Sequence, residues 1–389
     1  MMSLSGQFNY VYCLLMLLYD PQTVVNYRDY GIMLPVPPDR EKKVLEFLKG
    51  DFHPVNMSDA VKFLEKENPA LKAKLPAIDR EDLERIHSRD YIKELYGEGL
   101  KTALFKTFEL LDAEGRPSRY EPDRAIKPLS DLFQTLIKQA GGTYLTCLLA
   151  LASNKNHAGF CFYLGGGTHH ARYDAGSGFC LINDIAVAAI KILSEKHARQ
   201  IWIIDLDAHK GDGTAELISF ARKRGELQQP GTWAKAQESD NSKPGILTLS
   251  IHMAEGWPLN KENILSAEKG RAPLLSCDVD IGIDSGEEAS YTGRLAQGIR
   301  ELESLSVRTP DLAIVVDGAD PYEHDSLPSS GLMHLTLEQC LERDTYVYRC
   351  LRDRGIPSAW LQSGGYGERA WEPQAHFLKR ISKPETDSK

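Results

Sequence analysis

No C-x-x-C pair occurs in the 389 residues, and the seven cysteines (Cys13, Cys147, Cys161, Cys180, Cys277, Cys340 and Cys350) are scattered and odd in number. That speaks against a disulfide framework and a thiolate zinc site, and for a reducing compartment: the cytoplasm, or the nucleus in a eukaryote. Long apolar runs are missing too. The one suspicious stretch, VYCLLMLLY at 11–19, is too short for a membrane span and lacks the basic flank of a signal peptide, so it reads as a buried strand. Positive charge is in deficit, with 46 Lys and Arg against 55 Asp and Glu, a net −9. Such a chain has no sequence-independent pull toward phosphate backbones or anionic membranes, so neither nucleic acid nor membrane is expected as a partner. No linker rich in Pro, Gly or Ser divides the chain, and no internal repeat is visible. What is present is an ordinary globular composition, 42% hydrophobic and 26% charged, enough for a large core. Nothing in it specifies an oligomeric state.

From about residue 130, apolar β-rich runs alternate with helix-like stretches, the order of βα units feeding a parallel sheet. The runs are GFCFYL (159–164), QIWIID (200–205), ILTLSI (246–251), LAIVV (312–316) and SAWLQ (358–362), continuous as expected of strands covered on both faces. The stretch 183–198 carries a helical stripe (Ile185, Ala188, Ala189, Ile192, Leu193) that Asn183 or Asp184 can cap. Thr336 and Gln339 form a capping box for a helix that Gly355 and Pro357 stop. Another helix is expected to start at Ser130 or Asp131, with a further apolar run at 145–151 after the Gly141-Gly142 pair. The stretch 82–96 reads as helical, whereas 34–40, with three prolines, cannot be a regular element. The polar segment 222–245 reads as a long surface loop, and the tail at 380–389 as frayed.

At or just after the ends of the five runs come GGGTHH, DLDAHKGDG, HMAEGW, DGADPYEHD and SGGYG. Ligands of open α/β sheets bind at that carboxyl edge. Asp207 and His209, two apart in an extended segment, point to the same side, and Asp320 from another strand end completes a set of two carboxylates and one imidazole. Three such ligands with a position left open describe a catalytic metal site. Zinc is the default; iron(II), cobalt and manganese suit the same donors. D-x-H alone would be a turn-forming Asp beside a satisfied His, and it is the conjunction with the other strand ends that raises it. His169 and His170 are adjacent and can act as a base and its electrostatic partner if Asp205 and Asp212 hold their far nitrogens. Tyr366, among glycines, can donate a hydrogen bond to an oxygen gaining charge. Phe179 and Trp257 could line an apolar channel. His53, His87, His157, His197, His334 and His376 read as ordinary structural or surface residues.

GGGTHHARYDAGSGFCLINDIAVAA (165–189), IIDLDAHKGDGTAEL (203–217), VVDGADPYEHD (315–325) and SGGYG (363–367) resemble, in the same order, the metal-dependent histone deacetylase family of the arginase/deacetylase superfamily. EDLERIHSRDYIKEL (81–95) extends the resemblance upstream. The wording is nearest to the class I and class IV branch and its bacterial amidohydrolase relatives. The resemblance implies one catalytic domain over 1–389 with its core at about 12–380. Its fold would be a three-layer αβα sandwich on a mostly parallel sheet of about eight strands. It implies a zinc-dependent amidohydrolase releasing an acyl group from acyl-lysine, with Asp207, His209 and Asp320 as metal ligands. His169 and His170 would be the paired histidines, Asp205 and Asp212 their carboxylates, and Tyr366 the carbonyl-polarising tyrosine. Gly178, Phe179, Trp257 and Gly365 would line the substrate tunnel, and main-chain oxygens near Asp205, Asp207, His209 and Ser250 would hold a structural potassium ion.

The sequence departs from the family pattern in several places: the segment between His252 and Trp257 is shorter than usual, and no residue is matched to the acidic rim residue of many members. Lys210 stands where class I members carry a second histidine, and the usual His-Pro is absent before Arg40, which resembles the family's N-terminal basic residue. A binuclear arginase centre would need D-A-H-x-D, but Asp207-Ala208-His209-Lys210 is followed by Gly211, so one metal is expected. Acetylpolyamine deacetylation is the same chemistry on a diamine and stays open, because loop shapes at the tunnel mouth decide it. A silent acyl-lysine-binding scaffold is the remaining alternative. The acidic balance accords with a cationic substrate, whether a lysine-rich tail or a polyamine.

Overall fold

The computed structural model describes residues 15–153, 158–230, 244–259, 276–306 and 308–383. Its strands are β1 (Leu15–Leu18), β2 (Phe160–Tyr163), β3 (Gln200–Asp205), β4 (Gly245–Met253), β5 (Val279–Ile283), β6 (Leu312–Asp317) and β7 (Ser358–Gln362). They form one sheet of seven strands in the order β1-β2-β7-β6-β3-β4-β5, every pair parallel. The α-helices are α1 (Arg40–Phe47), α2 (Met57–Glu67), α3 (Arg80–Glu84), α4 (Arg89–Leu95), α5 (Leu100–Thr107), α6 (Asp131–Ala152), α7 (Asp184–Ser194), α8 (Asp212–Lys223), α9 (Tyr291–Ser304), α10 (Leu337–Asp353) and α11 (Glu372–Ile381).

The continuous apolar runs become strands because both sheet faces are covered. On β3, Ile201 and Ile203 point into one core and Trp202 and Ile204 into the other, the period-two alternation of a strand. The first core adds Leu145 and Leu149 of α6, Ile185 and Ile192 of α7, and Leu217 of α8. The second adds Val44 of α1, Leu295 and Ile299 of α9, Val347 of α10 and Phe377 of α11. The result is the expected three-layer sandwich. Burying each such branched side chain contributes about 1.5–3 kcal/mol before conformational entropy is set against it.

Seven strands are described where about eight were expected. The one not anticipated, β5, reads VDIGI: it alternates, with Asp280 and Gly282 incompletely buried, because it is an edge strand beside β4 alone. The expected helix over 82–96 is two helices. His87 turns inward to hydrogen-bond Arg172 O at 2.8 Å and Asn183 N at 3.1 Å, and Ser88 restarts the chain as N-cap of α4. The 183–198 stripe ends earlier, at Ser194, and Lys196 lies at φ +63°. Of 11–19, only 15–18 form a described strand, and most of the 222–245 loop (231–243) lies outside the described residues, as do 384–389 of the tail.

The Gly141-Gly142 pair lies inside α6, which runs through it unbroken. A Cβ on Gly142 would fall 2.4 Å from Cζ of Tyr163 on β2, so the glycine lets helix and sheet approach. Gly142→Ala should therefore cost about 1–3 kcal/mol by overpacking, seen as a lower urea midpoint with unchanged slope. An unchanged midpoint would mean that α6 packs further from β2.

Candidate active site

The sheet order makes the chain switch direction between β3 and β6, and the loops leaving the carboxyl ends of these neighbours carry the metal-ligand candidates. Asp205 ends β3, with Asp207 and His209 just beyond it; Asp320 follows β6; the loop after β7 brings 363–366 alongside.

One ligand atom from each of Asp207, His209 and Asp320 lies within 4.8 Å of the others, and all three residues are buried; no other such group occurs among the described residues. His209 Nδ1 sits 2.9 Å from Asp320 Oδ2 and 3.2 Å from Asp207 Oδ1, while its Nε2 faces the Ser329 hydroxyl at 3.2 Å. The outer oxygens are already occupied. Asp207 Oδ2 accepts from Gly364 N at 3.0 Å, and Asp320 Oδ1 accepts from Ala208 N at 3.0 Å. Burial opposes charge on His209, yet the two carboxylates raise its pKa to about 10, and the same carboxylates, fixed and facing inward, would suit a divalent cation. The donor set fits one such ion. The aspartate that a binuclear centre needs is replaced by Gly211, on which a Cβ would lie 2.3 Å from Asp205 Oδ2.

His169 Nδ1 is 2.7 Å from Asp205 Oδ2, and His170 Nδ1 is 2.8 Å from Asp212 Oδ1. Both far nitrogens are thus held by carboxylates, and the rings lie 3.8 Å apart. Their electrostatics diverge. Burial disfavours charge on each, but Asp205 and Asp207 lift His169 to about 9, whereas burial and the neighbouring His169 push His170 down to about 4.

The tunnel-wall candidates converge on the same place. Gly178 (φ +52°) and Phe179 (φ +64°) form a tight turn closed by Cys180 N donating to Ser177 O. The left-handed Phe179 is strained unless its surroundings hold it, and its N–H donates to Thr107 O at 3.2 Å. Trp257 stands edge-on to His170, ring centroids 4.5 Å apart, and a Cβ on Gly178 would strike both residues. Phe179, Trp257, Tyr366, Leu327, Pro328 and Ser329 help line a cavity of about 230 Å³ whose floor includes His170 and His209. Burial, then Asp320 and Asp207, hold the Tyr366 phenol well above its ordinary pKa, so it is a neutral donor. Gly365 (φ +139°) packs on Ala319 and on Arg40, whose guanidinium donates to the carbonyls of Ser363, Gly364 and Gly365.

Several residues have no warning in the sequence. Asp184, read there only as a cap, accepts from Gly167 N and Thr168 N and shapes the loop before the histidines. Asn183, the actual N-cap of α7, also donates to His169 O. At the cavity mouth, Arg119 pairs with Glu109 and lies 5.2 Å over the Phe179 ring. Lys210 turns away from the metal ligands to pair with Asp280 on β5. Of the histidines set aside, His157 lies outside the described residues, and none of the others joins the site.

At its carboxyl edge the parallel sheet thus carries a carboxylate–imidazole triad that could hold a metal ion, beside two His–Asp pairs. The histone deacetylase domain matches residues 35–378, and the chain belongs to that family. It is 30% identical over 236 residues to an uncharacterized protein of Picosynechococcus sp., covering 60% of the chain and 64% of that protein. It is 25% identical over 359 residues to histone deacetylase 6 of Arabidopsis thaliana, covering 86% and 66%. Over 211 residues it is 29% identical to acetylpolyamine amidohydrolase of Burkholderia pseudomallei, covering 53% and 51%. The chain thus spans less than two thirds of the length of these curated relatives. A crystal structure of acetylpolyamine aminohydrolase from Burkholderia pseudomallei shares the fold, with TM-score 0.58 at 18% identity over 94% of this chain and 98% of that one.

Gly364 gives the site its tightest test, because a Cβ there would lie 2.5 Å from Asp207 Oδ2 and 2.9 Å from Asp320 Cγ. Gly364→Ala should weaken divalent-metal binding about 10- to 100-fold, measured by competition with a chromogenic chelator, with the fold retained by circular dichroism. Unchanged metal affinity would show that this triad is not where the metal binds.

Proposed function

We propose that the chain is a metal-dependent amidohydrolase, zinc by default, that removes an acetyl-type acyl group from the side-chain amine of acyl-lysine in proteins. The observation that carries this reading is the meeting, at one edge of the sheet, of the Asp207–His209–Asp320 triad with the His169–Asp205 and His170–Asp212 pairs. Membership of the histone deacetylase domain family supports it. Iron(II), cobalt and manganese accept the same donors.

A divalent ion held by the three ligands would supply Lewis acidity, acidifying water and polarising the amide carbonyl. The chain's own groups do the rest. Phe179 and Trp257 grip the lysine methylenes from opposite sides and exclude bulk water. His170, its Nδ1–H engaged by Asp212, offers Nε2 to take the proton of the attacking water. Tyr366 donates its hydroxyl hydrogen to the amide oxygen as that oxygen gains charge. His169, held by Asp205 at 2.7 Å, stabilises that charge, and the proton taken by the histidine pair passes to the departing amine. Water and amide become a carboxylate and an ammonium group. We place a structural potassium ion beside Asp205 and Ser250, which face each other across β3 and β4.

Acetylpolyamine is the second substrate reading, favoured by the likeness to acetylpolyamine amidohydrolase. The mouth weighs against it: among the described residues lining that cavity the one acid, Glu109, is paired with Arg119, which leaves no unpaired carboxylate there for a second ammonium. Purified protein with added zinc should therefore turn over acetyl-lysine peptides faster than acetylputrescine or acetylspermidine, and the reverse order would assign it to polyamines. Tyr366→Phe should lower kcat by roughly 100- to 1,000-fold with metal content and fold retained. Elemental analysis should find one catalytic divalent ion per chain; two equivalents, or an unaltered rate in Tyr366→Phe, would refute the mechanism.

A further inference from the structure

Tyr366 belongs to a glycine-rich loop, and glycine leaves a backbone free to wander. Something must hold the phenol in place. From the core side Arg40 grips the carbonyls of residues 363–365. None of these contacts reaches the main chain of Tyr366 itself. That task falls to the segment after Asp320. Asp325 Oδ2 accepts from Tyr366 N at 2.7 Å, and Ser326 N donates back to Tyr366 O at 3.2 Å. Both main-chain groups of the tyrosine are therefore tied to two consecutive residues. The next residue, Gly367, sits at φ +88°, where an added Cβ would lie 2.7 Å from Ser326 Oγ, so the two segments are seated directly on one another.

The other oxygen of Asp325 faces the cavity wall. Oδ1 accepts from Leu327 N at 2.8 Å and from the Ser330 hydroxyl at 2.7 Å. This closes the turn that carries Leu327, Pro328 and Ser329 into the cavity and sets Ser329 against His209 Nε2. The carboxylate is half-buried, and its two oxygens each accept from a backbone N–H, Oδ2 from Tyr366 and Oδ1 from Leu327. An amide of the same shape would aim an N–H at one of those donors.

We propose that Asp325 is a positioning residue: it fixes the Tyr366 main chain, and through it the phenol, relative to Asp320 and to the Leu327–Ser329 wall. This rests on the deacylase reading, in which the Tyr366 hydroxyl stabilises the developing oxyanion. A donor aimed at a transition-state oxygen loses its effect with displacements of about 1 Å, which can cost roughly 100-fold in rate.

The test uses the full-length protein with zinc and an acetyl-lysine peptide. Asp325→Asn should lower kcat by roughly 10- to 100-fold with little change in KM and unchanged metal content. In a Tyr366→Phe background the same substitution should cost nothing further, because the group it positions is gone. Should Asp325→Asn fail to fold, Asp325→Glu keeps the charge but shifts the carboxylate by one methylene and should show the same dependence on Tyr366. A full rate in the single variants, or an equal loss with and without the tyrosine hydroxyl, would overturn the proposal. If instead wild type is inactive, or Tyr366→Phe leaves the rate unchanged, it is the deacylase reading that fails.

Discussion

Two buried carboxylates, Asp207 and Asp320, reach for the same imidazole nitrogen, and most of the site can be understood as what makes that tolerable. Like charges a few ångströms apart in a medium of low effective dielectric repel strongly, and each has lost its water. Their compensation is arranged as donors on the outer sides: backbone N–H groups of Ala208 and Gly364 and the hydroxyl of Ser363. With the outer oxygens saturated, the inner ones face one another across His209 Nδ1, a donor set that would suit one cation. The glycines at 318 and 364 follow from the same requirement, since a side chain at either would occupy the carboxylates' own volume.

This charge is supported from beneath by a second buried network. Arg343 of α10 is fully buried, donates to Asp317 and Asp344 at 2.8 and 2.6 Å, and donates to Leu206 O at 3.0 Å, between Asp205 and Asp207. One guanidinium thus joins the ends of β3 and β6, the two strands whose loops bear the ligands. Gln374 of α11 adds a bond to Asp317 O at 2.7 Å. Removing one member of such a network leaves an unpaired buried charge, typically worth 3–5 kcal/mol. Helices distant in sequence from the site therefore hold its geometry through polar contacts as well as through apolar packing.

What could be read from the sequence follows from this physics. Parallel strands buried on both faces show as continuous apolar runs, so QIWIID and SAWLQ were visible with their bounds, and the polar residues just past them pointed to the right edge. The edge strand β5, wet on one side, lost that signal. The break between α3 and α4 was invisible because it depends on His87 finding partners at Arg172 and Asn183, a tertiary contact that overrides local helix preference. Chemistry-bearing side chains were legible because few other roles explain adjacent histidines or D-x-H at a strand end. Asp325 was not, since its partner is a backbone amide 41 residues away and no spacing encodes that. Glu109 and Arg119 come from the part of the first 130 residues beyond 82–96, where no clear periodicity placed the chain.

The tyrosine shows how these layers combine. Its phenol is held above its ordinary pKa first by burial and then by Asp320 and Asp207, so it is a neutral donor. Its backbone is pinned by Arg40 through the preceding glycine loop and by Asp325 and Ser326 directly. Tyr366 is thus neither a loop residue that happens to reach the cavity nor a rigid part of the sheet. It is held between the β7 loop and the β6 loop, and the β6 loop also carries Asp320. Asp320 and the two residues that hold the Tyr366 main chain, Asp325 and Ser326, share one segment, so the tyrosine is registered against the triad through that segment. Preorganisation of this kind, in which the groups that must act on one oxygen are fixed to one another and only then to the scaffold, leaves little reorganisation for the reaction itself to accomplish.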